Sequence, residues 1–339
     1  MDSFNADTTG KEAIEKLEVY IKGKVFLITG TSKGGIGAET AITLATAKPQ
    51  QIILASRNRE KIAPVIDEIK KSNSTVSVEF VHLDLLDNNS VRQAAQQIKS
   101  ITPKIDVLIN NAGVMAPKNY STSKDGIEAQ FAACHIGHFL LTNLLIKEGI
   151  VAGEGSIIVN VGSLGYQLGE VNFDDINFDM SGLDSISGLT KLLLIQNGKN
   201  YNGWRAYGQA KTSNLLFTHA LSKRLAKKGI PVVAVHPGVI VESQLLPNSG
   251  VDEAWFGEAY KLAIERNDGN PLPPQTTKSL SQGAACVLFA ALSPSVREKS
   301  PVFLVENDIA ELKEYATSEV NAEKLWAISE KLVDEKFGL

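Results

Sequence analysis

Tyr207 and Lys211 stand four positions apart in an amphipathic stretch, so a helix would set them on one face, one turn apart. A free phenol titrates near 10, too high for an efficient proton carrier at neutral pH. An ammonium one turn away stabilises the phenolate and draws that value down. Such a pair could exchange a proton with a substrate oxygen while a hydride moves to or from the carbon that bears it. The spacing alone fits an ordinary helix-surface pair just as well. Two features upstream favour chemistry. Ser163 follows an apolar run and could hold and orient the same oxygen. Further back, another apolar run leads straight into Thr29-Gly30-Thr31-Ser32-Lys33-Gly34-Gly35-Ile36-Gly37, and a helical pattern follows. A dinucleotide needs such a loop: a tight turn, close backbone approach to the pyrophosphate, and the free N–H groups of a helix start.

The next apolar run ends in Ser56-Arg57. A site for NAD usually places Asp or Glu here, for the ribose 2′-hydroxyl. A guanidinium instead binds a 2′-phosphate through a charge-assisted fork, and Lys33 in the glycine loop could add a second positive charge. NADP(H) is therefore the expected cofactor, although a single Arg after a strand is also an ordinary surface charge.

These groups need a scaffold. Apolar, β-branched runs occur at 25–29, 51–55, 76–82, 106–109, 156–161, 232–235 and 302–305. Near-continuous runs this short read as parallel strands buried on both faces. Between them lie helical patterns at 38–47, 60–72, 89–101, 126–147 and 206–228. The alternation predicts an α/β, doubly wound Rossmann fold with a seven-stranded, mostly parallel sheet in a single domain. Residues 1–22 form an N-terminal extension, 23–310 the catalytic domain and 311–339 a helical tail. Two stretches fall outside the alternation, 164–204 and 244–277. Long connections of this kind tend to be functional loops. The second carries Trp255, Phe256 and Tyr260 among prolines and predicts a cap with a short helix at 253–265; the first would be the opposite wall. Both could instead merely pack on the sheet edge.

The 339 residues suffice for one large core. A net charge of -4 without a basic run argues against nucleic acid as a partner. No apolar run reaches the ~18–20 residues of a membrane span, and no signal-peptide core precedes the first strand. Cys134 and Cys286 are too few for a disulfide framework, which suits a reducing compartment, so a cytoplasmic protein is expected.

Further marks resemble the short-chain dehydrogenase/reductase family, in its retinol-dehydrogenase-like and fungal carbonyl reductase branch. They are Asn110-Asn111-Ala112-Gly113 after the fourth run, Val161-Gly162-Ser163 after the fifth, Tyr207-Gly208-Gln209-Ala210-Lys211, His236-Pro237-Gly238 after the sixth, and His82-Leu83-Asp84-Leu85 after the third. The branch is suggested by the stretch from Cys134 to Asn143. The resemblance implies Ser163, Tyr207 and Lys211 as catalytic residues. It implies cofactor contacts from Gly30, Ser32, Lys33, Gly35, Ile36, Gly37, Arg57, Asp84, Leu85, Asn111, Ala112, Gly113, Tyr207, Lys211, Pro237, Gly238 and Val239. Lys211 would also hold the nicotinamide ribose, and Asp84 would reach the adenine. The reaction would interconvert a carbonyl and a secondary alcohol on a bulky apolar or aromatic small molecule. A non-catalytic NADP-binding sensor or scaffold of the same fold is the alternative; an enoyl reductase is disfavoured, since those relatives space Tyr and Lys further apart.

Three departures from the family pattern stand out. Four residues, not three, separate Gly30 from Gly35, and Tyr207 lies 44 positions after Ser163, which implies an insertion. Cys134 replaces the Asn that usually completes the site and holds a water next to the Lys. A thiol is a poor substitute, so it reads as a small buried residue. His135 and His138, three apart without further ligands, read as core or interface packing rather than metal ligands. The resemblance also implies a homodimer packed through the helices at 126–147 and 206–228.

Overall fold

The computed structural model describes residues 4–179, 201–271 and 275–339. In chain order the elements that matter are α1 (Gly10–Leu17), β1 (Val25–Thr29), α2 (Ile36–Ala45), β2 (Gln51–Ser56), α3 (Arg59–Ser72), β3 (Ser77–His82), α4 (Asn88–Ile101), β4 (Val107–Asn110), α5 (Ala129–Lys147), β5 (Ile157–Val161), α6 (Gly203–Leu225), β6 (Val232–His236), α7 (Leu245–Ser249), α8 (Glu253–Glu265), α9 (Leu280–Leu292), α10 (Pro294–Glu298), β7 (Phe303–Val305), β8 (Asp308–Ile309), α11 (Glu314–Thr317) and α12 (Glu319–Leu332). The strands form one sheet in the order β3-β2-β1-β4-β5-β6-β7-β8. Every pairing is parallel except the last, β7 with β8. The sheet thus has eight strands where seven were expected. The extra one is a two-residue hairpin return at the edge, too short and too polar to show as an apolar run.

β1, β4, β5 and β6 are buried at every position, as strands covered on both faces must be. α1, α2, α3 and α9 pack on one face; α4, α5, α6 and α12 cover the other. Side-chain caps start the helices where the sequence offers them: Asn58 for α3, Asp87 for α4, Asn202 for α6 and a Ser279–Gln282 capping box for α9. The strand order reverses between β1 and β4, and the crevice beyond their carboxyl ends is where a doubly wound sheet takes its ligand.

α5 contains a π-helical segment at Ala132–Ile136, an extra residue in the turn that centres on Cys134. Among the described helices, α5 alone has the length and apolarity to cross a bilayer, and it is wholly buried in the fold. Polar Gln130, His135, His138, Thr142 and Asn143 interrupt it, which is why no unbroken apolar run marks it in the sequence.

The expected dimer face is occupied by the chain itself. α12 lies along α5 and α6, with Trp326 against Phe139 (ring centroids 4.9 Å) and Phe217 (6.2 Å) and the Arg224 guanidinium 3.8 Å above its ring. Phe337 stacks edge-on against Phe139 at 5.7 Å. Arg224–Glu323, Lys223–Glu319, Arg92–Glu335 and Lys147–Glu335 ion pairs border the contact. The apolar excess on α5 is therefore satisfied within one chain, without a second copy.

Candidate active site

The glycine loop joins β1 to α2. Gly30 takes φ +72°, and a Cβ there would meet the Ala112 backbone at 2.6 Å; a Cβ on Gly37 would meet the Asn111 amide at 2.5 Å and the Gly30 carbonyl at 2.7 Å. Gly34, within the lengthened loop, takes φ +78°, and its carbonyl accepts a hydrogen bond from Gln244 N at 3.0 Å. The N-cap of α2 is Gly35, without a side-chain cap, so the first N–H groups of the helix stay free. The Thr31 hydroxyl is buried and finds no partner among the described residues. Free amides, an orphaned hydroxyl and a cradle with no room for side chains fit the pyrophosphate of a dinucleotide.

Asn111, Ala112 and Gly113 extend β4 across the mouth of the loop. The Asn111 side-chain amide is spent within the chain, donating to the Thr29 and Gly30 carbonyls at 2.8 and 3.1 Å. The Asp84 carboxylate accepts from Leu86 N at 3.0 Å and stays half-buried. Leu85 is buried against Gly137, the close contact that this glycine permits. At the far side, Gly238 takes φ +101° with its α-carbon against the Lys278 stem, and Val239 bridges to Thr277. Ser32 and Ile36 follow the end of β1, and Pro237 follows the end of β6.

The two bases expected near a 2′-phosphate are not equivalent. Arg57 is exposed at the end of β2 and forms no ion pair among the described residues. Lys33 is paired with Glu68 of α3. Glu39, half-buried nearby, is held above the usual carboxylate range by burial and by the charges of Glu68 and Glu242. Lys33 therefore sits in an acidic surround that the sequence reading did not foresee.

Ser163, Tyr207 and Lys211 converge beyond β5. Ser163 caps a short 3-10 turn, Leu164–Leu168, accepting from Gly165 N at 3.0 Å. Gly165 is the hinge of the arrangement: a Cβ on it would lie 2.5 Å from the Tyr207 ring and 3.2 Å from Ser163 Oγ. Tyr207 is 6% exposed, and no group among the described residues hydrogen-bonds its hydroxyl. The Lys211 ammonium lies 5.7 Å from the Tyr207 ring centroid and donates to the Val161 carbonyl at 2.9 Å. Gly208 and Gly169 allow α6 to press against the turn that carries Ser163.

A short chain dehydrogenase profile matches residues 24–173. Retinol dehydrogenase 13 of Homo sapiens is 33% identical over 318 residues, covering 92% of this chain and 85% of that protein. The chain belongs to the short-chain dehydrogenase family. The chloroplastic short-chain dehydrogenase TIC 32 A of Brassica napus is 32% identical, with 98% of this chain and 94% of that one aligned. Among solved structures, a short chain dehydrogenase from Burkholderia cenocepacia in complex with NADP has a TM-score of 0.58 at 20% identity, covering 84% of this chain and 97% of that one, a likeness of fold. The protein is accordingly an oxidoreductase of the family that works between CH–OH and C=O groups with a nicotinamide cofactor.

In this member of the family, Cys134 lies in the π segment of α5, fully buried, its thiol 3.6 Å from the Val114 carbonyl and 3.3 Å from where a Cβ on Gly113 would stand. Burial pushes the thiol up in pKa, with Lys211 opposing, so it remains a neutral thiol. Its backbone carbonyl is taken by Asn214 Nδ2 at 2.7 Å and His138 Nδ1 at 3.1 Å. His135 packs among Phe131, Phe139 and Phe217 and donates from Nε2 to Ser329 Oγ of α12 at 2.7 Å, a core role as expected. His138 has a different role, and sequence reasoning missed it: its partners are the Cys134 carbonyl one turn back and Thr29, 109 positions earlier.

α8 packs beside Tyr207. Ala259, Leu262 and Ala263 cluster with Tyr207, Leu168 and Trp204. Trp204 Nε1 donates to the Trp255 carbonyl at 2.7 Å, and Trp255 Nε1 donates to Ala116 O at 2.8 Å. Trp255 is thus an anchor, whereas Phe256 and Tyr260 remain exposed. Of the opposite wall expected at 164–204, residues 180–200 lie outside the described residues.

Proposed function

We propose that this dehydrogenase is an NADP(H)-dependent ketoreductase or alcohol dehydrogenase acting on a bulky apolar or aromatic small molecule, with Ser163, Tyr207 and Lys211 as its catalytic residues. One observation carries the reading: no group among the described residues hydrogen-bonds the Tyr207 hydroxyl, whose ring packs against the Ser163 turn and α8, with an ammonium one turn along the helix. When bound, the cofactor supplies the hydride. Tyr207 Oη gives its proton to the substrate oxygen as the carbonyl becomes an alcohol, and takes it back in the oxidative direction. Lys211 offsets the negative charge left on the Tyr207 oxygen. Ser163 Oγ orients the substrate oxygen by a hydrogen bond. α8, with Trp255 as its anchor, forms the cap that keeps water from the hydride path.

The preference for NADP(H) rests on Arg57, exposed and without an ion pair among the described residues, at the end of a strand that carries no acid; the NADP complex of a structural relative agrees with it. Apolar bulk in the substrate suits the Leu168, Trp204 and Ala259 lining beside Tyr207. The test is NADPH consumption over a panel of aromatic ketones, quinones and aldehydes, with Tyr207→Phe as control. Turnover that falls by roughly 10²–10⁴-fold in the variant, with NADPH affinity intact, is the expected result. NADPH binding without turnover of any carbonyl would support the sensor alternative instead.

A further inference from the structure

We infer that His138 is a positioning residue for the cofactor: it ties the Cys134 turn of α5 to the junction of Thr29, Asn111 and Ala112 at the mouth of the crevice. The inference rests on the proposed reading that this crevice holds the nicotinamide dinucleotide.

Hydrogen-bond accounting leaves one arrangement. Thr29 Oγ1 accepts from Asn111 N at 2.9 Å and from Ala112 N at 3.0 Å, which uses both of its lone pairs. Its single proton must then go to the remaining neighbour, His138 Nε2 at 2.9 Å. An accepting Nε2 leaves the ring proton on Nδ1, where it is donated to the Cys134 carbonyl at 3.1 Å. Every polar atom of the imidazole is thus used, in one tautomer. His135, one turn away, has the opposite one, because Ser329 Oγ donates to Leu325 O and so accepts from His135 Nε2. His138 is 2% exposed, and burial pushes its pKa down to about 4, in keeping with a neutral ring.

The ends of this link are residues of the crevice itself. Ala112 is packed against Gly30 so closely that no side chain fits between, and Gly113 lies beside Cys134 Sγ and the Lys211 ammonium. The Cys134 carbonyl also receives Asn214 of α6, three residues beyond Lys211. His138 therefore stands at a node joining β1, β4, α5 and α6. Without it the buried Thr29 hydroxyl has a proton and no acceptor. The hydroxyl must turn, and the Asn111 or Ala112 N–H loses its partner. The strip of backbone from Asn111 to Gly113 would then shift relative to the glycine loop. Cys134, unlike an amide side chain, offers no strong substitute donor or acceptor at this node.

Two conservative variants separate the halves of the link. In His138→Gln the amide oxygen reaches the place of Nε2 and can accept from Thr29. In His138→Asn the amide nitrogen takes the place of Nδ1 and can serve only the Cys134 carbonyl. Titration with NADPH and steady-state kinetics should show His138→Asn weaker in cofactor binding by roughly tenfold, and His138→Gln within about twofold of the parent. Amide hydrogen exchange at Asn111 and Ala112 should accelerate in the Asn variant and stay slow in the Gln variant. Equal behaviour of the two variants, or a loss of thermal stability with NADPH affinity and exchange unchanged, would overturn the inference. Should the parent protein bind neither NADPH nor NADH, the cofactor reading fails, while the exchange comparison still decides whether His138 holds the junction.

Discussion

Cofactor choice offers the sharpest test, because only one of the two candidate bases is free to act. Arg57 is exposed and has no ion pair among the described residues, while Lys33 is committed to Glu68 with both partners about half open to solvent. A hydrogen bond to a charged group contributes about 1.5–3 kcal/mol. In a solvent-exposed position the lower end applies, and about 1.4 kcal/mol is tenfold in affinity. Arg57→Ala should therefore weaken NADPH by roughly tenfold and leave NADH, which lacks the 2′-phosphate, within about twofold. An exposed ion pair contributes only about 0–1 kcal/mol. Glu68→Gln, which releases Lys33 and removes a repelling carboxylate, should then tighten NADPH by up to about fivefold, with the gain shrinking as salt is added. Calorimetric titration of both cofactors against the parent and the two variants measures all of this. Parallel losses for NADPH and NADH in Arg57→Ala would show that Arg57 acts on fold or loop order. No gain in Glu68→Gln at low salt would show that Lys33 points away from the phosphate.

Other expectations follow from the packing. Gly165→Ala places a carbon 2.5 Å from the Tyr207 ring, which must move; misplacement of about 1 Å costs roughly 10²-fold, so kcat should fall by that order with NADPH affinity little changed. Because α12 covers α5 and α6, light scattering should give a monomer of 36.5 kDa; twice that mass would restore a dimer. Trp326→Ala, which empties the centre of that contact, should cost roughly 3–5 kcal/mol by denaturant unfolding; a cost below about 1 kcal/mol would mean that α12 is loosely held. Burial pushes His135 to about 3 and His138 and His236 to about 4, all below the unfolded value near 6.5. The unfolded chain then binds more protons in that window, so stability should be full above pH 6.5 and fall toward pH 4, by about 2 kcal/mol per residue at pH 5; a melting temperature flat from pH 7 to 5 would contradict the neutral, buried rings.

The sequence by itself determined those features that depend on neighbours along the chain. The central strands β1, β4, β5 and β6 show as apolar runs because a strand covered on both faces must be apolar at nearly every position, and the helix at 253–265 shows between prolines that limit how the segment folds back. The glycine loop, Ser163 and the Tyr207–Lys211 pair were equally plain, since steric room for a backbone turn and a four-residue helical step are local properties. What only the tertiary structure decided involves residues far apart. Lys33 of the glycine loop meets Glu68 of α3, 35 positions later. The tail at 311–339 reads as helical from its own residues, yet nothing local says that it lies on α5 and α6 and takes the place of a second subunit. His138 reads as core packing because its character comes from Thr29, brought to it by the pairing of β1 with β4 and the seating of α5 on the sheet. A period or a cap is set by the chain's own geometry, whereas the partner of a buried polar group is set by which surfaces the core brings together.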